Sequence, residues 1–303
     1  MGKSTLTNKT GYIEAWPRGV SITLMKPKPT PTEGPVIPFV KAHACGNDFL
    51  VIRENLAGVE PRDALTRRLC HRNSGIGADG VEFLTWDGKS QGRIRLHNAD
   101  GSIAEISGNG TRCVAAWIAY ETKAGRGDEI ILETDAGPRL CQIDDRTGQM
   151  FMITSSMGVP TVGTANLPLG DGERIDGAVV STGNPHFVVF VDRPNFYDYP
   201  WESIGREICT HIAFFPQQTN VEFVRVISRE EIEIRIYERG VGPTSSSGTG
   251  TCASASAAIA LRGAAPVLRV IAPGGAQTVH WQGPGTEMKL TGPAELICFG
   301  ETW

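Results

Sequence analysis

The feature that most constrains this chain is an internal duplication. Ser107-Gly108-Asn109-Gly110-Thr111 returns 140 residues later as Ser247-Gly248-Thr249-Gly250-Thr251. Each copy runs into a stretch of small and apolar residues, CVAAWIAY and CASASAAIAL, that reads as a buried helix. A second pair agrees: FVKAHACGNDFLVIR at 39–53 and AVVSTGNPHFVVFVD at 178–192 each read as strand, Gly-Asn turn, strand, with Gly46 and Gly183 separated by 137 residues. Nine residues before each serine sits a polar group, Asn98 in one half and Glu238 in the other. Offsets this consistent argue for tandem domains related by a pseudo-twofold axis.

The 303 residues leave room for two such domains. Between the repeated motifs, short strands are expected at 81–85, 91–97, 128–134, 139–143, 149–154, 221–227 and 231–237, with hairpin turns at Asp135–Pro138 and Asp144–Gly148. Many short strands with one Ala-rich helix per half define an α+β class, each half a strand-rich sheet wrapped around its central helix. Residues 1–38, ending in the Pro-rich KPKPTPTEGPVIP, read as a loosely attached arm. The first domain is expected over 39–152, with 292–303 available to complete it, and the second over 153–291.

Composition removes several function classes. A net charge of −4 favours neither nucleic acid nor an anionic membrane as partner. Seven cysteines without a CxxC, and no His at ligand spacing from a Cys pair, speak against a disulfide framework and against a metal site. Reduced thiols and a cytoplasmic location are the expectation, and no apolar run is long enough to span a bilayer.

An S-G-x-G turn entering a helix leaves backbone N–H groups without partners, and the helix dipole makes that end an anion site. Alone, either serine is an ordinary N-cap. Two such starts related by symmetry suit a single carboxylate held between domains. The group at each start would then face its α-carbon from opposite sides, removing a proton on one and delivering it on the other without a cofactor.

GNDF at 46–49, GIGADG at 75–80, NADGS at 98–102, GNGTRC at 108–113, GNPH at 183–186, TNVEF at 219–223, ERGVG at 238–242 and SGTG at 247–250 occur in order. Through these motifs the chain resembles the diaminopimelate epimerase family from about residue 39 to its end. The resemblance implies two pseudo-symmetric domains, a homodimer, no cofactor, and an amino-acid substrate with two carboxylates, in lysine biosynthesis. It assigns the grip on the substrate's distal end to Asn47, Asn98, Asn184, Asn220, Glu238 and Arg239. Gly108, Asn109, Gly248 and Thr249 would hold the reacting carboxylate, and His186 and Glu238 would assist the acid and base.

At both acid–base positions, where the family pattern has cysteine, this chain has serine: Ser107 and Ser247. A thiol titrates near 8.5 and a hydroxyl nearer water's ~15.7, a gap of roughly 10 kcal/mol. A helix dipole contributes only ~0.3–2 kcal/mol. Serine can serve only if another group takes its proton, and His186 and Glu238 are the candidates. Three readings follow: an epimerase with altered acid–base groups, a dehydratase or isomerase needing one competent base, and a non-catalytic amino-acid-binding homologue.

Overall fold

The computed structural model describes residues 12–16 and 20–23 in their backbone, and residues 36–170, 172–192 and 196–302 in full. A hairpin of β1 (Tyr12–Trp16) and β2 (Val20–Thr23) falls within the expected arm. The other residues of 1–35 lie outside the described ones. The main sheet begins inside the arm's expected limit: β3 (Ile37–Ala44) pairs Ile37 with Thr302 and Pro38 with Glu301.

The first half continues with β4 (Asn47–Arg53), α1 (Arg62–Cys70), β5 (Gly80–Trp86), β6 (Gln91–Asn98), β7 (Ile103–Ala104) and α2 (Gly108–Thr122). It closes with β8 (Glu129–Thr134), β9 (Gly137–Thr147) and β10 (Met150–Gly158). After β11 (Thr161–Pro168), the second half repeats the order: β12 (Arg174–Ser181), β13 (Pro185–Phe190), α3 (Trp201–Cys209), β14 (Asn220–Val226) and β15 (Glu231–Glu238). Then come β16 (Gly242–Thr244), α4 (Gly248–Arg262), β17 (Val267–Ala272), β18 (Gly275–His280) and β19 (Met288–Thr302). Strands β3 to β19 form one closed sheet.

Element matches element across the halves. The strand pairs β4–β5 and β13–β14 are parallel, while β5–β6 and β14–β15 are antiparallel. The amphipathic helices α1 and α3 are related in the same way, although their short apolar stripes left no signal in the sequence reading. One expected turn shifts. Asp144–Thr147 belong to β9, and the hairpin closes between Thr147 and Met150, where Gly148 takes a positive φ of 63°.

Each half wraps its sheet around one helix, because α2 and α4 are apolar on nearly every side and must be enclosed. Val114, Ala115, Ile118 and Ala119 of α2 pack with Leu84, Ile130, Phe151 and Leu296. Ala253, Ala255, Ala257 and Ala258 of α4 pack with Val188, Ile234, Val270 and Leu290. Strand β19 serves both cores: its first part pairs with β10 and β18, and its second part runs along β3. This shared strand brings the N-termini of the two enclosed helices to the same seam.

Candidate functional site

The site begins with two helix caps. Ser107 adopts extended backbone before α2, and its Oγ accepts the Gly110 N–H at 3.0 Å. Ser247 does the same before α4, accepting from Gly250 at 3.2 Å. The two tips touch: a methyl group on Gly248 would stand 3.0 Å from Gly108 Cα and 3.3 Å from Asn109 N. Only a residue without Cβ permits backbones to approach so closely. Two sets of free N–H groups, with two positive helix ends, therefore meet in one place.

Four of the expected polar residues meet at these tips in two matched pairs. Asn109 Nδ2 donates to Asn47 Oδ1 at 3.1 Å, and Asn184 Nδ2 donates to Thr249 Oγ1 at 3.3 Å. Asn47 in turn donates to Asp79 at 2.7 Å. Asn220 accepts the Arg239 backbone N–H at 2.9 Å and donates to the Pro185 carbonyl at 3.2 Å. Arg239 itself is exposed, and its guanidinium donates to the Gln217 carbonyl at 2.9 Å. Asn98 donates to Ser102 at 3.0 Å within its own turn.

Acid–base groups are distributed unevenly. The Glu238 carboxyl lies beside the Ser247 hydroxyl; burial pushes it up to about 7, and Ser247 limits the rise. His186 is fully buried, with Nδ1 at 2.8 Å from Glu222 Oε1 and Nε2 at 2.9 Å from Asn184 Oδ1. The imidazole thus links Glu222 to the asparagine that touches Thr249. On the Ser107 side, the place of Glu238 is taken by Asn98, and His186 has Phe49 as its counterpart on β4.

Neighbouring thiols do not replace the missing cysteines. Cys113 and Cys252 are fully buried in the two helix cores, and burial pushes Cys252 up to about 12. Cys45, held at φ 52°, lies by Ser246, the residue before the α4 cap; burial raises its pKa although Arg112 and Ser246 oppose the rise.

Sequence reasoning missed Glu82, Glu222 and Arg112. The carboxylates had a legible signal, the tripeptide Val-Glu-Phe at 81–83 and again at 221–223, with the same spacing as the serines. Arg112 had none. It is fully buried, donates to Asn109 at 2.6 Å and to Gln277 of the second half at 2.8 Å, and ties the seam beneath Gly108.

Gly248→Val is the sharpest test of the paired tips. Its side chain would push the helix starts apart, so we expect at least about tenfold weaker carboxylate binding by calorimetry, with a far-UV spectrum unchanged from the parent. Unaltered affinity would show that the contact does not shape the site.

Comparison with known proteins agrees with this architecture. The Diaminopimelate epimerase family pattern matches residues 39–162 and 178–297. A diaminopimelate epimerase of Moorella thermoacetica is 37 % identical over 283 residues, covering 87 % of this chain and 98 % of that protein. One from Pelotomaculum thermopropionicum is 36 % identical over 278 residues, with 87 % and 98 % covered. Among solved structures, a hydroxyproline epimerase from Agrobacterium vitis superposes with a TM-score of 0.68 at 16 % identity, covering 88 % of this chain and 91 % of that one. Duplicated fold, joined helix tips and ordered motifs have one account: the chain belongs to the diaminopimelate epimerase family.

Proposed function

We propose that this protein inverts an α-carbon of diaminopimelate, or of a close diamino dicarboxylic acid, without a cofactor. The contact between the helix starts at Gly108 and Gly248 carries this reading. A carboxylate seated there accepts N–H groups from both halves, including those of Asn109 and Thr249. Its α-carbon then lies between Ser107 and Ser247. Asn47, Asn98, Asn184, Asn220 and Arg239 form the wall available to the distal amino and carboxylate groups.

On one face Ser247 acts with Glu238. Ionised Glu238 takes the hydroxyl proton as Ser247 takes the α-proton, and the reverse transfer delivers a proton in the other direction. His186, hydrogen-bonded to Glu222 and Asn184, positions the wall beside Thr249. The opposite face rests on Ser107, whose hydroxyl has no carboxyl partner among the described residues. That imbalance favours, as a second reading, an α-proton reaction needing a single base. Six of the seven cysteines are buried and all are free, which suits a reducing compartment such as the cytoplasm. Homodimeric assembly belongs to the same proposal.

Incubation with diaminopimelate in deuterated water separates the readings. Deuterium at the α-carbon with inversion is the expected result; exchange with retention supports the one-base reaction, and binding without exchange sinks both. Because Glu238 must be ionised to accept a proton, kcat/KM is expected to rise with pH through about 7 and level above it. Glu238→Gln should abolish that limb in a pH–rate profile. Replacing Ser107 and Ser247 together by Cys should raise inversion by on the order of a hundredfold, since a thiolate needs no helper; no gain in a racemisation assay would remove the serines from the acid–base positions.

A further inference from the structure

Glu82 is a fully buried carboxyl group with no part in the proton transfers at Ser107 and Ser247. It lies on β5 between Val51 of β4 and Leu96 of β6, and it points onto the first turn of α2. Its Oε1 comes within 2.1 Å of where a Cβ on Gly110 would lie, so the glycine is what admits it. Ser107 Cβ stands 3.3 Å from that same point. Neither carboxyl oxygen of Glu82 meets a hydrogen-bond partner among the described residues.

Glu222 is its counterpart, similarly set against Gly250 of α4, with Oε1 2.7 Å from the equivalent point. There the resemblance stops, because His186 meets Glu222 at 2.8 Å whereas the matching position on β4 is Phe49. Among the described residues, the groups facing Glu82 offer no compensating cation. Phe49 and Val51 come from β4, Leu96 from β6, and Gly110 and Cys113 from α2; the Cys113 thiol is itself raised by burial. Asp48, next along β4, is engaged by Lys41 and Arg72. Arg112 turns to Asn109 and Gln277.

We propose that Glu82 is a positioning residue of the carboxylate cradle, an uncharged acid beneath α2 whose neutrality leaves the positive helix end free for the substrate carboxylate. This rests on the function proposed above. A second negative charge behind Gly110 would compete for the same dipole and repel the substrate through a medium with little screening. Burial pushes the Glu82 carboxyl up to about 8, so the neutral form prevails at neutral pH.

The test is calorimetric titration of meso-diaminopimelate into the parent protein and Glu82→Gln at about pH 6 and about pH 9.5. Affinity of the parent is expected to fall about tenfold more than that of the variant, which cannot ionise. Superimposable profiles would overturn the inference while leaving the carboxylate site standing. Absence of binding to either protein at the lower pH would overturn both. Glu82→Met, equally unable to ionise, serves if Gln fails to fold. A ligand-free measurement accompanies it. The folded state holds the Glu82 proton more tightly than the unfolded chain, so stability conferred below the ordinary carboxylate range is lost as pH rises through about 8. Thermal unfolding should show the parent losing ground to the variant over that interval; parallel curves would show that Glu82 is not a proton-bearing acid.

Discussion

The contact between Gly108 and Gly248 is the constraint on which the rest depends. Each helix start alone is a capped terminus with a few unpaired N–H groups. Brought within backbone contact, their two positive ends coincide, each capped by its own serine. The closeness has a structural cost, because both positions must lack a side chain and both helices must be enclosed by sheet. Strand β19, shared by the two cores, and Arg112, bonded across the seam to Gln277, hold the halves in that relation.

Symmetry in the backbone does not extend to the charges. Ser247 has Glu238 at its hydroxyl and the His186–Glu222 pair nearby; Ser107 has Asn98 in the matching place and an unpartnered Glu82 behind its helix. A carboxylate seated as proposed would be held evenly by the two halves while the two faces of its α-carbon met different groups. With hydroxyls in place of thiols these surrounding acids matter more, since a serine does not give up its proton at neutral pH unless another group takes it.

Much of this was legible beforehand, and for local reasons. Ser107 and Ser247 read as caps because an N-cap depends on its own next three residues. The Gly-Asn turns and alternating strands around residues 47 and 184 likewise carry short-range signals. Helices α1 and α3 escaped because nine-residue segments with narrow apolar faces barely differ from loops. The hairpin after β9 was placed early because Asp144-Asp145 reads as turn chemistry, whereas strand pairing with β10 absorbed both residues.

By itself, the sequence determined the duplication, the class of fold, the helix caps and the motifs that place the chain in its family, all of which arise from spacing along the chain. Only tertiary structure decided that the two tips touch, that Glu238 meets Ser247, and that Glu82 is buried without a partner while its twin Glu222 meets His186. The reason is physical: a carboxylate's charge state depends on desolvation and on neighbours brought from distant strands, and no local pattern of residues encodes either.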